Sequence, residues 1–429
     1  MAYHFASLQL AVLTVVTMES SAAIELAKHV LLSFSIILGV GTAIGLISEK
    51  LKIPDVAAFL LVGMVLGPEV TGLVNIKADS ALNQIILIFG ASYILFDGGA
   101  TLRLKVLKQV WITIVLLATL GVLVTALVTA VAAYYVFALP PIVALLLALA
   151  FASTDPATLV PVFKQVKIRE RVAQTVLSES AFNDATGAIA TFAVLGIALG
   201  HGEFSWGHAL LDLLKQAGLG FLAGGILGYL AALLIAHERF GFFQEYAPLV
   251  TLMAVLGAYL GADGLHASGF MAVFVFGIVL GNKDVFGFRM QEGEQEKMED
   301  FTATTALILR MFIFILLGAQ VDFSLMSKYL AGGIAVVTVF MLVARPLTVF
   351  ICALPDRRAK WKLSELLFMC WTRETGVIPG ALAGLLLGMG APHAELIASV
   401  TFIAILMTIL IQATTTKWLA ARLGLLVRD

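Results

Sequence analysis

The chain has 429 residues, of which 60% are hydrophobic and 13% are charged, and its mean hydropathy is +1.01. These values exclude a soluble globular protein and place the chain in a lipid bilayer, and the formal net charge of −1 gives no sign of a nucleic-acid partner. No soluble domain, linker or low-complexity tract is visible, so we expect residues 1–429 to form a single transmembrane domain.

The apolar segments predict an all-α polytopic membrane protein. A membrane-spanning helix needs about 20 mostly apolar residues. A shorter apolar run at residues 5–18 leaves open an extra helix or a signal segment within residues 1–24, although no Lys or Arg precedes it. Thirteen longer segments qualify as predicted spans, near residues 28–48, 54–72, 80–99, 107–136, 141–165, 172–199, 207–236, 243–262, 265–282, 300–320, 327–353, 363–389 and 394–421.

Basic residues concentrate in alternate loops between these spans. Basic loops stay in the cytoplasm, so we expect the C-terminus to lie inside the cell and the protein to reside in the inner membrane. The opposite loops carry chiefly Lys77 and Lys328. The loops predicted to be cytoplasmic carry Lys50, Lys52, Arg103, Lys105, Lys108, Lys164, Lys167, Arg169, Arg171, Arg239, Lys283, Arg289, Lys297, Arg357, Arg358, Lys360, Lys362, Lys417, Arg422 and Arg428.

The third predicted span carries an acidic residue in the stretch Phe96-Asp97-Gly98-Gly99. Asp97 lies near the predicted cytoplasmic end of this span. It is either a solvated helix end or an accessory group of a polar site, and the sequence leaves both interpretations open.

The fifth predicted span is interrupted in its middle by Ser153-Thr154-Asp155-Pro156. Proline removes a backbone donor and disfavours helical conformation at the preceding residue, so we expect the helix to break here. Asp155 would then cap a second half-helix, and Thr154 could offer its carbonyl to a cation. Discontinuous helices at the membrane midplane are a common way for transporters to expose backbone to an ion, although a plain proline kink is the simpler alternative.

The sixth predicted span carries four polar residues in its middle: Glu179, Ser180, Asn183 and Asp184. A charged side chain at mid-membrane costs roughly 2.5–3.5 kcal/mol on insertion, so such groups usually face an interior cavity and indicate an ion pathway. Glu179 and Asn183, like Ser180 and Asp184, are four residues apart and share one helix face. Gly187 on the same side permits close approach of a neighbouring helix.

Two arginines lie in later predicted spans. Arg310 is about ten residues from either end of its span, too deep to reach water comfortably, so it needs a carboxylate partner, and we predict Glu179. Arg345 is nearer a predicted cytoplasmic end, where its side chain can simply extend to the membrane surface.

A second interruption occurs in the span 363–389, at Arg373-Glu374-Thr375-Gly376. Two interrupted helices in opposite halves of a chain are typical of a repeat-built transporter with its site between them. Arg373 could complement the C-terminal end of a first half-helix and Glu374 the N-terminal end of the second. A helix distorted by Gly and Pro is the alternative.

Taken together, these motifs resemble the cation/proton antiporters, specifically the NhaP-like branch that is also similar to animal sodium/proton exchangers. The resemblance covers residues from about 30 to 420, and it depends most on Thr154-Asp155-Pro156 and Asn183-Asp184 in order on adjacent spans. This chain departs from the family at Asp97, where Glu is frequent, and at Arg373-Glu374, where many members have a Gly-Leu-Arg-Gly-like stretch.

The resemblance implies an NhaA-like inverted-repeat fold with two crossing discontinuous helices, arranged as a homodimer whose protomers hold an interface part and a six-helix core. It also implies that Glu179 and Arg310 form a supporting ion pair. Arg345, Arg373, Glu374 and Asp97 are further accessory candidates.

By the same resemblance, Asp184 is the carboxylate that binds cation or proton. Ser180 and Thr154 would join it as ligands of Na⁺ or K⁺, while Asn183 would hold Asp155. No cofactor is expected.

The expected activity is exchange of Na⁺ or K⁺ for H⁺ by alternating access, without enzymatic chemistry. Because the motif is Asn183-Asp184 rather than two adjacent aspartates, we expect one cation to exchange for one proton. The competing hypotheses are an electrogenic exchanger, a cation channel, or an intramembrane aspartyl protease using Asp155 and Asp184, although the Tyr-Asp and Gly-x-Gly-Asp motifs of such proteases are missing from the sequence.

Overall fold

The computed structural model describes residues 2–51, 55–78, 80–154, 163, 168–200, 206–237 and 240–426, which are almost entirely helical. The α-helices are α1 Ala2–Leu51, α2 Asp55–Leu66, α3 Ala81–Ala100, α4 Leu104–Ala118, α5 Leu120–Phe137, α6 Pro141–Ala150, α7 Glu170–Ala198, α8 Trp206–Ala236, α9 Ala247–Gly264, α10 Gly269–Gly281, α11 Glu292–Ala319, α12 Phe323–Val339, α13 Arg345–Ala353, α14 Leu363–Trp371, α15 Val377–Gly388, α16 Ala394–Met407 and α17 Thr414–Arg422. Two π-helical segments, Phe340–Ala344 and Thr408–Ala413, join α12 to α13 and α16 to α17.

The prediction of an all-α membrane protein is confirmed. Four shorter apolar helices, α2, α6, α10 and most of α15, also coincide with predicted spans, but the count of thirteen stays a prediction. Residues 5–18, whose role the sequence left open, belong to α1. Within the described residues, nine helical stretches are long and apolar enough to cross a membrane: Ile24–Leu51, Ala81–Ala100, Lys108–Phe137, Glu170–Ala198, Leu214–Ala236, Gln244–Gly264, Glu292–Ala319, Phe323–Ala353 and Ala394–Arg422.

Local sequence explains where several helices begin. The Ser80 hydroxyl accepts a hydrogen bond from the Asn83 N–H at the start of α3, at 3.2 Å. The Asp322 carboxylate does the same for α12, accepting the N–H groups of Ser324 and Leu325. Pro141 occupies the first turn of α6, where its missing N–H costs no intrahelical bond. These caps satisfy backbone donors that the first turn of a helix leaves unpaired.

The helices pack in two groups. The first group contains α1–α3 and α8–α11, and its principal contacts join α10 to α3 and α8, and α11 to α2. The second group contains α4–α7 and α12–α17, and its principal contacts join α4 to α7, α5 to α6, and α12 to α16. The two groups meet where α15 lies against α3 and α11, and where α7 lies against α8 and α10.

Glycine allows the closest packing within the first group. A Cβ atom on Gly63 of α2 would overlap the Ile315 carbonyl of α11, and one on Gly318 of α11 would overlap the Leu60 carbonyl of α2. The two backbones therefore touch directly, which is the way small residues bring transmembrane helices together.

Both predicted helix interruptions fall within the second group. The helix α6 ends at Ala150, and the chain leaves helical conformation through Ser153 and Thr154. Asp155, Pro156 and the second half-helix predicted to follow them lie outside the described residues. The second interruption is fully described, with α14 ending at Trp371, an extended segment at residues 372–376, and α15 beginning at Val377.

Four of the loops predicted to be cytoplasmic meet at one end of the molecule. The Arg103 guanidinium lies 3.7 Å from the Glu170 carboxylate, and Arg171 forms an ion pair with Glu365 at 2.6 Å. The Arg169 N–H donates to the carbonyl of Leu425 near the C-terminus, at 3.1 Å. These contacts agree with the alternation of basic loops, which requires the four segments to share one side of the membrane.

Candidate functional site

The candidate site lies where the non-helical stretch after α6, residues 151–154, meets the middle of α7. Asn183 of α7 accepts a hydrogen bond from the Thr154 N–H through its Oδ1 atom, at 3.0 Å. Its Nδ2 atom donates to the Thr154 hydroxyl at 2.9 Å. One amide side chain therefore satisfies a backbone donor that the broken helix cannot satisfy internally, and it fixes Thr154 against α7.

Ser180 completes this contact one turn earlier on α7. The Thr154 hydroxyl donates to the Ser180 hydroxyl at 2.9 Å, and both side chains are buried. The structure thus brings together Thr154, Ser180 and Asn183, three of the residues that the sequence singled out. Their proposed role as cation ligands or supports stays a prediction.

Asp184 follows Asn183 on α7, and only 2% of it is exposed. Three residues later, a Cβ atom on Gly187 would lie 3.1 Å from the Ser153 Cβ, so the small residue lets α7 approach the non-helical stretch after α6 closely. The carboxylate therefore lies in the interior at the level of the interruption. Asp155, the other predicted site carboxylate, and its predicted contact with Asn183 lie outside the described residues.

Glu179 forms a buried ion pair with Arg345, which begins α13. The two groups bind through both guanidinium Nη atoms and both carboxylate oxygens, with Nη2 2.9 Å from Oε2. Arg345 also donates from Nε to the Met369 carbonyl at 2.8 Å. Bidentate geometry and burial make this a strong charge-assisted contact that joins α7, α13 and α14.

The predicted pairing of Glu179 with Arg310 is wrong. Arg310 lies on α11, in the other helix group, and its Nη1 atom is 3.7 Å from the Asp55 carboxylate at the start of α2. Its side chain is 17% exposed, so it is less deeply buried than its central position in the predicted span suggested. The Arg345 side chain does not extend to the membrane surface. It is 1% exposed and forms the ion pair with Glu179 that we predicted for Arg310.

Arg373 connects the two interruptions. From the extended segment of the second, it donates through Nη2 to the Ala152 carbonyl, just beyond α6, and through Nη1 to the Thr125 hydroxyl at 3.0 Å. Its guanidinium also lies over the Phe340 ring, 4.9 Å from the centroid. The sequence suggested that Arg373 complements the end of a half-helix. The structure adds that this end belongs to the other broken helix.

The remaining accessory candidates occupy different surroundings. Glu374 lies in the extended segment next to Arg373 and is fully buried. Asp97 lies in the last turn of α3 and is half-buried, one turn after Tyr93. Of the two interpretations of Asp97 that the sequence left open, the half-buried position selects neither.

Sequence reasoning missed the partner of Glu179 because the relevant signal is three-dimensional. The π-helical segment Phe340–Ala344 directly precedes Arg345 and changes the face on which the following residues lie. The Arg345-Pro346 dipeptide in an apolar span was the available hint, since proline disturbs the helix ahead of it. The presence of an arginine in an apolar span does not show whether Arg310 or Arg345 is the partner of Glu179.

Among the described residues, this arrangement places hydroxyl and amide oxygens and the Asp184 carboxylate beside an interrupted helix. Hydroxyl, carbonyl and carboxylate oxygens suit hard cations. A carboxyl group can bind either a proton or a cation, so the two can compete for one position. No covalent chemistry is required for such an exchange.

Comparisons with known proteins concern the family and the fold of the chain. The family model described as "Sodium/hydrogen exchanger, transmembrane" matches residues 34–422. The chain is 35% identical to Na(+)/H(+) antiporter 1 of Methanocaldococcus jannaschii over 354 residues, covering 80% of each chain. It is 27% identical to the K(+)/H(+) antiporter NhaP of Alkalimonas amylolytica, covering 87% of this chain and 64% of that one. The structure of the M. jannaschii sodium proton antiporter MjNhaP1 at pH 8 superimposes with a TM-score of 0.80 at 31% identity, covering 92% of this chain and 99% of that chain.

Proposed function

The chain belongs to the sodium/hydrogen exchanger family, and from that premise we propose that its antiport of a monovalent cation for a proton is electroneutral, one cation for one proton, with Asp184 as the carrier. Relatives named for Na⁺ and for K⁺ both match, so we propose Na⁺ or K⁺ as the cation. The observation that carries the stoichiometry is the pairing of Glu179 with Arg345, since it removes the other carboxylate in the middle of α7 from the cycle.

Two features of α7 support a single carrier. The negative charge of Glu179 is neutralised by the bidentate guanidinium of Arg345, and breaking this pair would leave two unpaired buried charges. Asn183 is an amide, which does not titrate, and it is occupied by Thr154 on both of its polar atoms. Asp184 is therefore the one carboxyl group on this helix face whose charge can change during transport.

The cycle follows from competition at this group. A bound proton or a bound cation neutralises the Asp184 carboxylate, and an empty, charged carboxylate is costly to move through the membrane interior. If the second helix group moves relative to the first only in a neutralised state, each crossing carries either one proton or one cation. The site then has the same charge in both loaded states, and the membrane potential does no net work on the cycle.

The test uses purified protein in liposomes whose membrane potential is clamped with valinomycin and a K⁺ gradient, with Na⁺ as the driving ion. The proton flux measured at the same K⁺ gradient without Na⁺ is subtracted. We expect the rate and end-point of Na⁺-driven proton flux to be the same at zero, positive and negative potential. A shift of the end-point with potential, in the direction of two protons per cation, would overturn the stoichiometry. It would favour an electrogenic exchanger in which Asp155 or Glu179 is a second carrier.

The same flux assay distinguishes an exchanger from a channel and from a protease. A cation channel would pass Na⁺ without an equivalent counterflow of protons, and an intramembrane aspartyl protease would produce no flux. We propose that the protein is not an enzyme and that it acts as a homodimer in the inner membrane, with its C-terminus in the cytoplasm. The clustering of Arg103, Arg169 and Arg171 at one end of the molecule supports that orientation.

A further inference from the structure

Gln412 is a buried polar side chain that the exchange mechanism does not use. It lies in the π-helical segment Thr408–Ala413 and is 0% exposed. Within the described residues, neither its Oε1 nor its Nε2 atom has a hydrogen-bond partner. A buried amide normally has partners, because leaving its donor and acceptor unpaired costs the full desolvation of both.

The side chain of Gln412 faces the second helix interruption. Thr408, one turn earlier, accepts a hydrogen bond from the Thr375 N–H through its hydroxyl, at 3.1 Å. Thr415, about one turn later, accepts one from the Trp371 indole N–H at 2.8 Å. Gln412 lies between these two contacts along the helix, so it lies opposite the extended segment at residues 372–376.

Two further polar atoms on the same side are unpaired. The Thr375 hydroxyl is fully buried in the extended segment, and the Thr401 hydroxyl is fully buried on α16, and neither has a partner within the described residues. Thr401 is seven residues before Thr408, which places both on the same helix face. The unpaired groups of Gln412, Thr375 and Thr401 therefore belong to the region between α16, the π-helical segment and the interruption.

The chemistry of these groups selects water as the ligand. The amide presents a donor and an acceptor, and each hydroxyl can act as either. A cation would satisfy the Oε1 atom but would leave the Nε2 hydrogens unpaired and facing a positive charge. Water both donates and accepts, and buried waters typically make about three hydrogen bonds to groups that the protein leaves unsatisfied.

We propose that Gln412 holds buried water against the extended segment at residues 372–376. Gln412 lies in a π-helical turn, which widens the helix locally and is common at functional sites. The bound water supplies hydrogen bonds that the interrupted helix lacks, and it keeps the segment extended. The inference goes beyond the proposed function, because neither the carrier nor the stoichiometry depends on it.

A substitution of Gln412 by methionine tests the proposal by the sign of its effect. Met has a similar length and no hydrogen-bonding groups. If no water is bound, Gln412→Met removes two unsatisfied polar atoms and raises the melting temperature or leaves it unchanged. If water is bound, the substitution removes its hydrogen bonds to the Gln412 amide, and we expect the melting temperature to fall by about 2 °C or more.

Gln320→Met is the matched control. The Gln320 Nε2 atom donates to Asn83 at 3.0 Å and to the Ile76 carbonyl at 3.3 Å, so its amide has protein partners. We expect both variants to lower the melting temperature. An unchanged or higher melting temperature for Gln412→Met, with a fall for Gln320→Met, overturns the proposal.

A density map of the unmodified protein decides the matter independently of how well the variants fold. At a resolution that shows ordered water elsewhere in the second helix group, we expect density within about 2.7–3.2 Å of the Gln412 amide. A map in which the amide contacts only protein groups, or has no density beside it, overturns the proposal whatever the melting temperatures are.

Discussion

Arg345 binds both carboxylate oxygens of Glu179 in the interior of the second helix group, where both residues are at most 1% exposed. The pair joins the continuous helix of the candidate site to α13, and the Nε–H of Arg345 extends the connection to α14 at the Met369 carbonyl. The contacts of Arg345 thereby hold α7, α13 and α14 together.

The first prediction concerns the strength of this pair. Glu179→Gln or Arg345→Met alone leaves a buried charge without its partner, so each should lower the free energy of unfolding by about 3–5 kcal/mol. The double variant should cost clearly less than the sum of the two. Thermal melting in detergent of the two single variants and the double variant measures the coupling.

Arg310 and Asp55 provide the matched control for this cycle. Their groups are 3.7 Å apart and partly exposed, so Arg310→Met and Asp55→Asn should couple by about 1 kcal/mol or less. Equal coupling in the two cycles would contradict the assignment of Arg345 as the main partner in the interior. A cycle between Glu179 and Arg310 should show no coupling.

The second prediction is that Asp184→Asn abolishes exchange and leaves a folded protein. Asn has nearly the shape of Asp but can neither bind a proton nor neutralise a cation. Cation-driven proton flux in proteoliposomes should fall to the level of empty liposomes. Asp55→Asn, which changes a carboxylate in the other helix group, should keep most of the flux, and wild-type flux from Asp184→Asn would discard the carrier assignment.

The third prediction concerns competition between cation and proton. If both bind Asp184, a tenfold rise in proton concentration, within the range where only Asp184 titrates, should raise the apparent KM for the cation up to tenfold. The maximal rate should change little, because saturating cation displaces the proton. Initial rates at several pH values measure this, and a falling maximal rate at constant KM would show that the two ligands use different groups.

The fourth prediction concerns the contacts of Arg373. Arg373→Met removes hydrogen bonds to Thr125 and to the Ala152 carbonyl, and hydrogen bonds of a charged group contribute about 1.5–3 kcal/mol each. The melting temperature should fall accordingly. Arg373→Lys should recover part of the loss, because an ammonium group can still approach the carbonyl but cannot reach Thr125 in the same geometry. A melting temperature for Arg373→Met equal to that of the unmodified protein would refute this connection.

The fifth prediction concerns Lys283, which lies in the loop after α10 and is 3% exposed. Burial lowers the pKa of Lys283 below its ordinary value, and the nearby Asp284 and Glu299 only partly oppose this. Between the folded and unfolded pKa values the unfolded chain binds more protons, so this group's contribution to stability rises with pH there. At neutral pH the buried charge is destabilising.

Lys283→Met should therefore raise the melting temperature at pH 7, and the gain should shrink as pH rises through the folded pKa of Lys283. Melting curves at pH 7, 8.5 and 10 for both proteins measure the difference. Lys297→Met is the control, because Lys297 is a solvent-exposed lysine in the same region. A gain for Lys283→Met that is constant with pH would show that the effect comes from packing.

Much of the fold follows from local sequence. Hydropathy over about 20 residues locates the spans, and Pro156 and Gly376 mark the two interruptions. Helical spacing places Ser180 and Asn183 on one face, and the structure brings both to Thr154. These features depend on the free energy of transferring a segment from water to lipid and on the backbone preferences of proline and glycine, which act within a few residues.

The partners of the buried charges were decided only by the tertiary structure. The sequence shows that Glu179 and Arg310 need compensation in an apolar interior, and it leaves Arg345 able to extend to the membrane surface. It therefore cannot decide which charges pair. Because α11 packs against α2, Arg310 lies next to Asp55. Arg345 directly follows a π-helical segment and forms an ion pair with Glu179. The cost of burying a charge can be read from one segment, whereas the group that offsets it depends on which helices become neighbours, and that is a property of the whole chain.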